Sequence, residues 1–211
     1  MTGTIYLLRH GETVWNRIGR LQGQIDVPLT RLGLSQADAM GRTLKDVLGT
    51  PPDHLISSPL GRTRQTASIV AEHLGIPFDQ IEMDPRLMEI TLGDFDGAPG
   101  WDWIDSRLSS DDRDRYHADR WNFRYPNGEC SQDVQDRVRP VLEEVRARGG
   151  ISVIVAHGVV NKILRGLHLN LTRDQTFALD RPQDAFFRLH PGGEARIEVD
   201  AAPSPLAEHA V

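Results

Sequence analysis

Two apolar runs in this chain stop at the same pair of residues. Ile5-Tyr6-Leu7-Leu8 runs into Arg9-His10-Gly11-Glu12-Thr13, and Ile151-Ser152-Val153-Ile154-Val155-Ala156 runs into His157-Gly158. A short apolar run bounded by turn residues reads as a buried strand. Open α/β sheets bind ligands in the crevice at the carboxyl ends of such strands. If the two strands lie side by side and parallel, His10 and His157 face one another across one pocket. Arg9, beside the first histidine, predicts that the pocket takes an anion.

Composition narrows the classes. With 211 residues, 39% hydrophobic and 26% charged, the chain suits one domain with a full core. That domain is expected over residues 1–200, with a Pro- and Ala-rich tail at 201–211 expected to be disordered. The net charge of -6 argues against a nucleic-acid or membrane-surface binder, whose affinity comes mostly from basic surface. No apolar run approaches the ~20 residues of a bilayer span, and the start lacks a basic-then-apolar leader pattern. A cytoplasmic location is the expectation. The single cysteine, Cys130, can form no internal disulfide and no cysteine cluster for a metal.

Along the chain, Glu12 to Asp26 reads as a polar loop with glycines at Gly19 and Gly23. Thr30 is placed to cap a helix whose apolar positions Leu34, Ala37, Met40, Leu44, Val47 and Leu48 step by three and four. Gly49 and the two prolines after it end that helix. Asp53 to Ser58 reads as a second short strand, and Pro59 fits the first turn of a helix running to about Leu74. An extended segment is expected near Gln80 to Met83. From Asp94 to Asn127 three of the four tryptophans crowd together with many arginines and aspartates, without a long apolar period. This stretch, about 94–127, reads as an insertion with one or two short helices folded over the sheet as a partial lid. Ser131 is placed to cap a helix that ends at Gly149-Gly150. A helix from about Val159 to Leu167 and two edge strands, near Ala185 to Leu189 and Ala195 to Val199, complete an α/β pattern.

Four stretches supply side chains of matching type: Arg9 and His10, Arg62, Glu89, and His157. Planar guanidinium groups bond the oxygens of a phosphoryl group in pairs. A neutral imidazole can attack phosphorus and form a phosphohistidine that water later hydrolyses. The leaving alkoxide needs a proton, which a carboxyl can give. No metal is needed where arginines and a second imidazole meet the charge on the equatorial oxygens. Singly, these residues have plainer readings: Arg62 as an exposed helix-start arginine, Glu89 as a solvated carboxylate with Asp84 and Asp94 as rival proton donors. Lone histidines such as His54, His73 and His168 read as surface or capping residues. The combination carries the argument.

Leu8-Arg9-His10-Gly11-Glu12-Thr13 followed by Trp15-Asn16 resembles the signature of the histidine phosphatase superfamily, in its phosphoglycerate mutase-like branch. Gln22-Gly23-Gln24-Ile25-Asp26-Val27-Pro28-Leu29-Thr30 and Ser57-Ser58-Pro59-Leu60-Gly61-Arg62-Thr63-Arg64-Gln65-Thr66-Ala67 resemble the same family. So do Glu89-Ile90 with Gly93-Asp94-Phe95-Asp96-Gly97, Pro126-Asn127-Gly128-Glu129, and Ala156-His157-Gly158. The resemblance runs in order from about residue 4 to 165. It implies a three-layer αβα sandwich around a mixed, mostly parallel sheet. It also implies His10 as the phosphorylated nucleophile, Glu89 as proton donor, and Arg9, Asn16, Arg62 and His157 around the phosphate. Thr13, Gln22, Gly23 and the Gly158 backbone N–H are implied to line the pocket or its entrance. No metal site is implied.

Two positions depart from the family pattern. Cys130 stands where Gly-Glu-Ser is usual, and a thiol is a weaker donor than a hydroxyl; packing is its expected role. Val159-Val160-Asn161-Lys162 stands where an Ile-Arg pair is common, with Lys162 as a candidate replacement for the arginine. The family machinery serves phosphatases and mutases alike. Cofactor-dependent mutases usually carry a longer basic insertion than Asp94 to Asn127, whose Arg107, Arg113, Arg115, Arg120 and Arg124 are offset by aspartates. The sequence therefore favours a phosphatase with no cofactor, acting on a small phosphorylated metabolite. A 2,3-bisphosphoglycerate-dependent phosphoglycerate mutase is the alternative, followed by a phosphoprotein phosphatase or a non-catalytic phospho-ligand binder. If Arg120 or Arg124 reaches the pocket, the substrate is expected to carry a second anionic group. A homodimer is compatible with the sequence.

Overall fold

The computed structural model describes residues 3–200, so the expected tail at 201–211 lies outside the described residues. β1 (Thr4–Arg9) leads through the one-turn helix α1 (Val14–Arg17) into α2 (Arg31–Leu48), and β2 (His54–Ser57) leads into α3 (Gly61–Leu74). β3 (Glu82–Met83) is followed by the two lid helices, α4 (Trp101–Asp105) and α5 (Ser110–Ala118). Next come α6 (Ser131–Arg148), β4 (Ile151–Ala156), α7 (Gly158–Leu169) and α8 (Arg173–Ala178). The hairpin β5 (Ala185–His190) and β6 (Gly193–Glu198) closes the described fold.

The strands form one sheet in the order β3-β2-β4-β1-β5-β6. β1, β2, β3 and β4 pair in parallel, whereas β5 runs antiparallel to both β1 and β6. The sheet is therefore mixed and mostly parallel. Successive strand side chains point to opposite faces, and the apolar runs use both. Ile5, Leu7, Ile154 and Ala156 join a core with α6, α7 and the lid. Tyr6, Leu8, Val153 and Val155 join a second core with α2 and α3. This double burial explains why the runs are continuously apolar, and it makes the molecule a three-layer αβα sandwich. Each fully buried aliphatic side chain there contributes about 1.5–3 kcal/mol.

β1 and β4 pair in register, with Arg9 opposite Ala156. Both strands then end at the same edge of the sheet, which brings His10 beside His157. Several local expectations need correction. Thr13 and Asn16 reciprocally cap α1 inside what reads as a polar loop. Pro59 lies outside α3, whose N-cap is Leu60. Ser131 is the first residue of α6 and Cys130 its N-cap, with Asp133 accepting the Cys130 backbone N–H at 2.8 Å. β5 is interior, between β1 and β6, because Phe186 and Phe187 each face one of the two cores. No helix among the described residues is long and apolar enough to cross a membrane.

Candidate active site

The turn after β1 is shaped by close packing. A Cβ on Gly11 would sit 2.2 Å from the Gly33 carbonyl oxygen, so only glycine lets the first turn of α2 press against the strand end. The Gly11 N–H donates to Thr66 Oγ1 on α3 at 3.2 Å, and the Glu12 N–H donates to Gln36 Oε1 on α2 at 2.7 Å. His10 is thus fixed by both helices that cover this face of the sheet.

His10 is 2% exposed, and its Nδ1 lies 2.8 Å from the Gly11 carbonyl oxygen. A carbonyl can only accept, so Nδ1 carries the hydrogen and Nε2 keeps the lone pair. Burial, then Arg9 and Arg62, holds the ring's pKa well below the ordinary 6.5. At neutral pH the ring is uncharged, which is the nucleophilic form.

A cavity of about 100 Å³ opens on His10 and is lined by Arg9, Asn16, Gln22, Gly23, Arg62 and Glu89, among others. Each arginine is held through its terminal nitrogens by backbone carbonyls. Arg62 donates to Ile25 O at 2.9 Å and to Gly23 O at 2.7 Å, and Arg9 donates to Arg181 O at 2.6 Å. Burial is the main reason that Arg9 is pulled down to about 10, and Arg62 is lowered for the same reason. Gly23 supplies its carbonyl from a left-handed conformation, φ +52°, where a Cβ would also collide with Asp96. Asn16 Oδ1 accepts from the Thr13 N–H and from Gln183 Nε2, both at 3.2 Å. Its NH2 group is thereby left to donate elsewhere. Thr13, fully buried, caps α1 and does not line this cavity.

Glu89 stands at the amino end of α7. Its carboxylate accepts from the Val159 N–H at 3.2 Å and from its neighbour, the Ile90 N–H, at 3.0 Å. A helix N-terminus favours a carboxylate in that place. The rival acids are elsewhere: Asp84 is engaged by Arg86, and Asp94 by Asn127 Nδ2. Neither lines the cavity.

His157 is fully buried, with its ring centroid 5.3 Å from that of His10. Its Nε2 lies 2.8 Å from Ser58 Oγ, which in turn accepts a long bond from the Leu60 N–H at 3.4 Å. That pattern directs the Ser58 hydrogen to Nε2 and leaves the ring proton on Nδ1. Burial, then Arg62 and His10, holds this ring neutral as well. Neither His157 nor Gly158 is a lining residue of the cavity; both sit at the start of α7, directly after β4.

Arg9 Nε, Arg62 Nε and His157 Nδ1 are buried donors without a hydrogen-bond partner among the described residues, as is the acceptor Gln22 Oε1. A buried donor left unpaired costs about 1–3 kcal/mol. Arg9 and Arg62 line the cavity with such donors and His157 stands behind His10, an arrangement suited to a multidentate anion such as a phosphoryl group.

The lid and α8 enclose a second cavity of about 300 Å³. It shares Ile90, Leu92, Trp101, Val159 and Arg181 with the first, so the two lie side by side. Trp121, Phe123 and Tyr125 are buried in the core under the lid and also line this cavity. Of the lid arginines only Arg120 lines it. Arg107 lies over Trp103, while Arg113, Arg115 and Arg124 pair with Asp105, Asp112 and Asp133. Lys162 lines it as well. Sequence reasoning missed Arg181, Gln183 and Ser58. Arg181 and Gln183 sit in the link between α8 and β5, where no periodicity marks them. Ser58 could have been found as the residue that β2 delivers to the same sheet edge as the two histidines.

Residues 5–197 match the sequence model of the histidine phosphatase superfamily (branch 1). An Escherichia coli protein named Probable phosphoglycerate mutase GpmB is 38% identical over 159 residues, covering 74% of this chain and 69% of that one. Among solved structures, a mycobacterial glucosyl-3-phosphoglycerate phosphatase in complex with VO3 has a TM-score of 0.74 at 30% identity, over 96% of this chain and 99% of that one. YhfR of Bacillus stearothermophilus has a TM-score of 0.75 at 30% identity, over 96% and 98% of the two chains. With relatives named as phosphatases and as a mutase, the activity is of the phosphatase or mutase type, and this chain belongs to the histidine phosphatase superfamily, branch 1.

Proposed function

We propose that this protein is a phosphomonoester hydrolase that works through a phosphohistidine on His10 and acts on a small phosphorylated metabolite. The observation that carries this reading is the His10 ring itself: buried, neutral, and locked by the Gly11 carbonyl with its lone pair on Nε2. In the first step Nε2 attacks phosphorus, the ester P–O bond breaks, and Glu89 delivers a proton to the leaving oxygen. Arg9, Arg62, Asn16 and the His157 Nδ1–H meet the charge on the phosphoryl oxygens, so arginine rather than a metal supplies the positive charge. In the second step Glu89 takes a proton from water, water oxygen attacks phosphorus, and the P–N bond breaks with its electron pair returning to Nε2. No cofactor is used.

The likeness to a probable phosphoglycerate mutase keeps primer-dependent isomerisation as the second reading. The lid favours hydrolysis. A mutase must hold the dephosphorylated product for rephosphorylation, and three of the five lid arginines are tied to aspartates instead of facing the cavity. The test is phosphate release from a panel of phosphorylated metabolites, with His10→Ala as control and 3-phosphoglycerate assayed with and without 2,3-bisphosphoglycerate. Free phosphate that vanishes in the variant supports the hydrolase. Exchange between the 2- and 3-phosphoglycerate isomers that depends on the bisphosphate, with little free phosphate, makes it a mutase.

A further inference from the structure

The link between α8 and β5 reaches three residues of the phosphoryl site. The Arg181 carbonyl accepts from Arg9 Nη1 at 2.6 Å. Two residues on, Gln183 Nε2 donates to the His10 carbonyl at 3.1 Å and to Asn16 Oδ1 at 3.2 Å. Gln183 does this without lining either cavity. Pro182, between the two, fixes one of its own backbone torsions and restricts its predecessor to extended conformations. The link is tied down at both ends. At its start, Arg165 Nη1 donates to the Asp180 carbonyl at 2.8 Å and to the Asp180 carboxylate at 3.0 Å. At its end, the Val199 N–H donates to the Asp184 carbonyl at 2.9 Å.

These bonds set the direction of two amides in turn. A carbonyl can only accept, so the His10 C=O fixes Gln183 with its NH2 group, not its oxygen, toward the site. The second hydrogen of that NH2 meets Asn16 Oδ1. With the Thr13 N–H as the other donor, both lone pairs of Asn16 Oδ1 are used. Turning the Asn16 amide over would set its NH2 against two donors, so the NH2 stays directed at the cavity that Asn16 lines. Resting on the hydrolase reading of that cavity, we propose that Gln183 is a positioning residue of the phosphoryl site. It acts through Asn16, whose NH2 it holds toward the phosphoryl oxygens, and touches none of them itself.

Calorimetric titration with inorganic phosphate reads this without turnover, in the wild type, Gln183→Met, Asn16→Ala and the double variant. Methionine keeps the length of the side chain and loses the donor. Gln183→Met should weaken phosphate binding about three- to tenfold, the worth of one hydrogen bond. Where Asn16 is already alanine, the same substitution should cost less than about twofold, because the two residues act as one unit. NMR of protein labelled with ¹⁵N in its asparagine side chains adds a signature that general loosening would not give. Saturating phosphate should shift the Asn16 NH2 signals of the wild type, and shift them less than about half as far in Gln183→Met. Should Gln183→Met fail to fold, Gln183→Ala is the second variant, with the same pattern expected. A loss below about twofold with Asn16 present, a larger loss that persists without Asn16, or an Asn16 signal that responds as in the wild type overturns the positioning role. Phosphate binding that depends on Gln183 as expected, in a protein that releases no phosphate from any ester, would instead sink the hydrolase reading and leave the positioning role standing.

Discussion

Mild acid should destabilise this protein through two particular rings. In the unfolded chain His10 and His157 titrate near the ordinary 6.5, whereas in the folded protein both are held well below it, by burial first and then by neighbouring charge. As pH falls through 6.5, the unfolded chain binds a proton on each ring that the folded chain refuses, so stability falls with pH. Between about pH 7.5 and pH 5.5 each ring costs roughly RT ln(11/1.1), about 1.4 kcal/mol, and the pair about 2.7 kcal/mol. Urea unfolding followed by circular dichroism, in phosphate-free buffer, measures this for the wild type and for His10→Asn and His157→Gln. Asparagine keeps a donor for the Gly11 carbonyl and glutamine keeps a partner for Ser58 Oγ, so each variant removes the titration with little else. Each should shrink the acid-induced loss by about 1.4 kcal/mol. An equal loss in all three proteins would show that the rings titrate normally when folded, and the neutral-nucleophile argument would fail.

Two further outcomes are expected. Glu89→Gln should lower kcat for alkyl phosphates by about 10²–10³-fold, but much less for activated aryl phosphates, whose leaving groups need no proton; equal losses in steady-state assays would make Glu89 a positioning residue. Arg165, with its side chain 4% exposed, pairs with Glu194 at 2.7 Å and lies 3.5 Å from the centroid of Phe187. Arg165→Ala leaves Glu194 without its partner and should cost about 3–5 kcal/mol in urea unfolding; a loss below about 1 kcal/mol would mean that water replaces the arginine there.

The parts of the fold that bury apolar surface on a fixed period were readable in advance. β1 and β4 are continuous apolar runs because each face meets a core, and their shared His-Gly ending follows from a common sheet edge. The stepped apolar face of α2 marked that helix for the same reason. The short helices α1 and α8 escaped, because one or two turns bury too little to leave a period. α8 still carried a local mark, the reciprocal cap between Thr172 and Gln175, which a search for capping boxes would have found. The residues converging on His10 were legible through type and motif. Arg181 and Gln183 were not, since only the path from α8 back to the sheet brings them to Arg9 and Asn16. Which lid arginine faces the cavity was likewise invisible, being decided by which aspartates the others reach.

The central claim is a covalent phosphoryl group on His10, and trapping it is the most direct test. Protein mixed with a turned-over phosphate ester would be quenched in base, where phosphohistidine survives, and the phosphoryl group located by peptide mass spectrometry and ³¹P NMR. The account predicts one acid-labile phosphoryl group, on His10 Nε2, that is absent from His10→Ala and accumulates in Glu89→Gln with an aryl phosphate. A label on His157 or any other residue, or turnover that persists in His10→Ala, would contradict it.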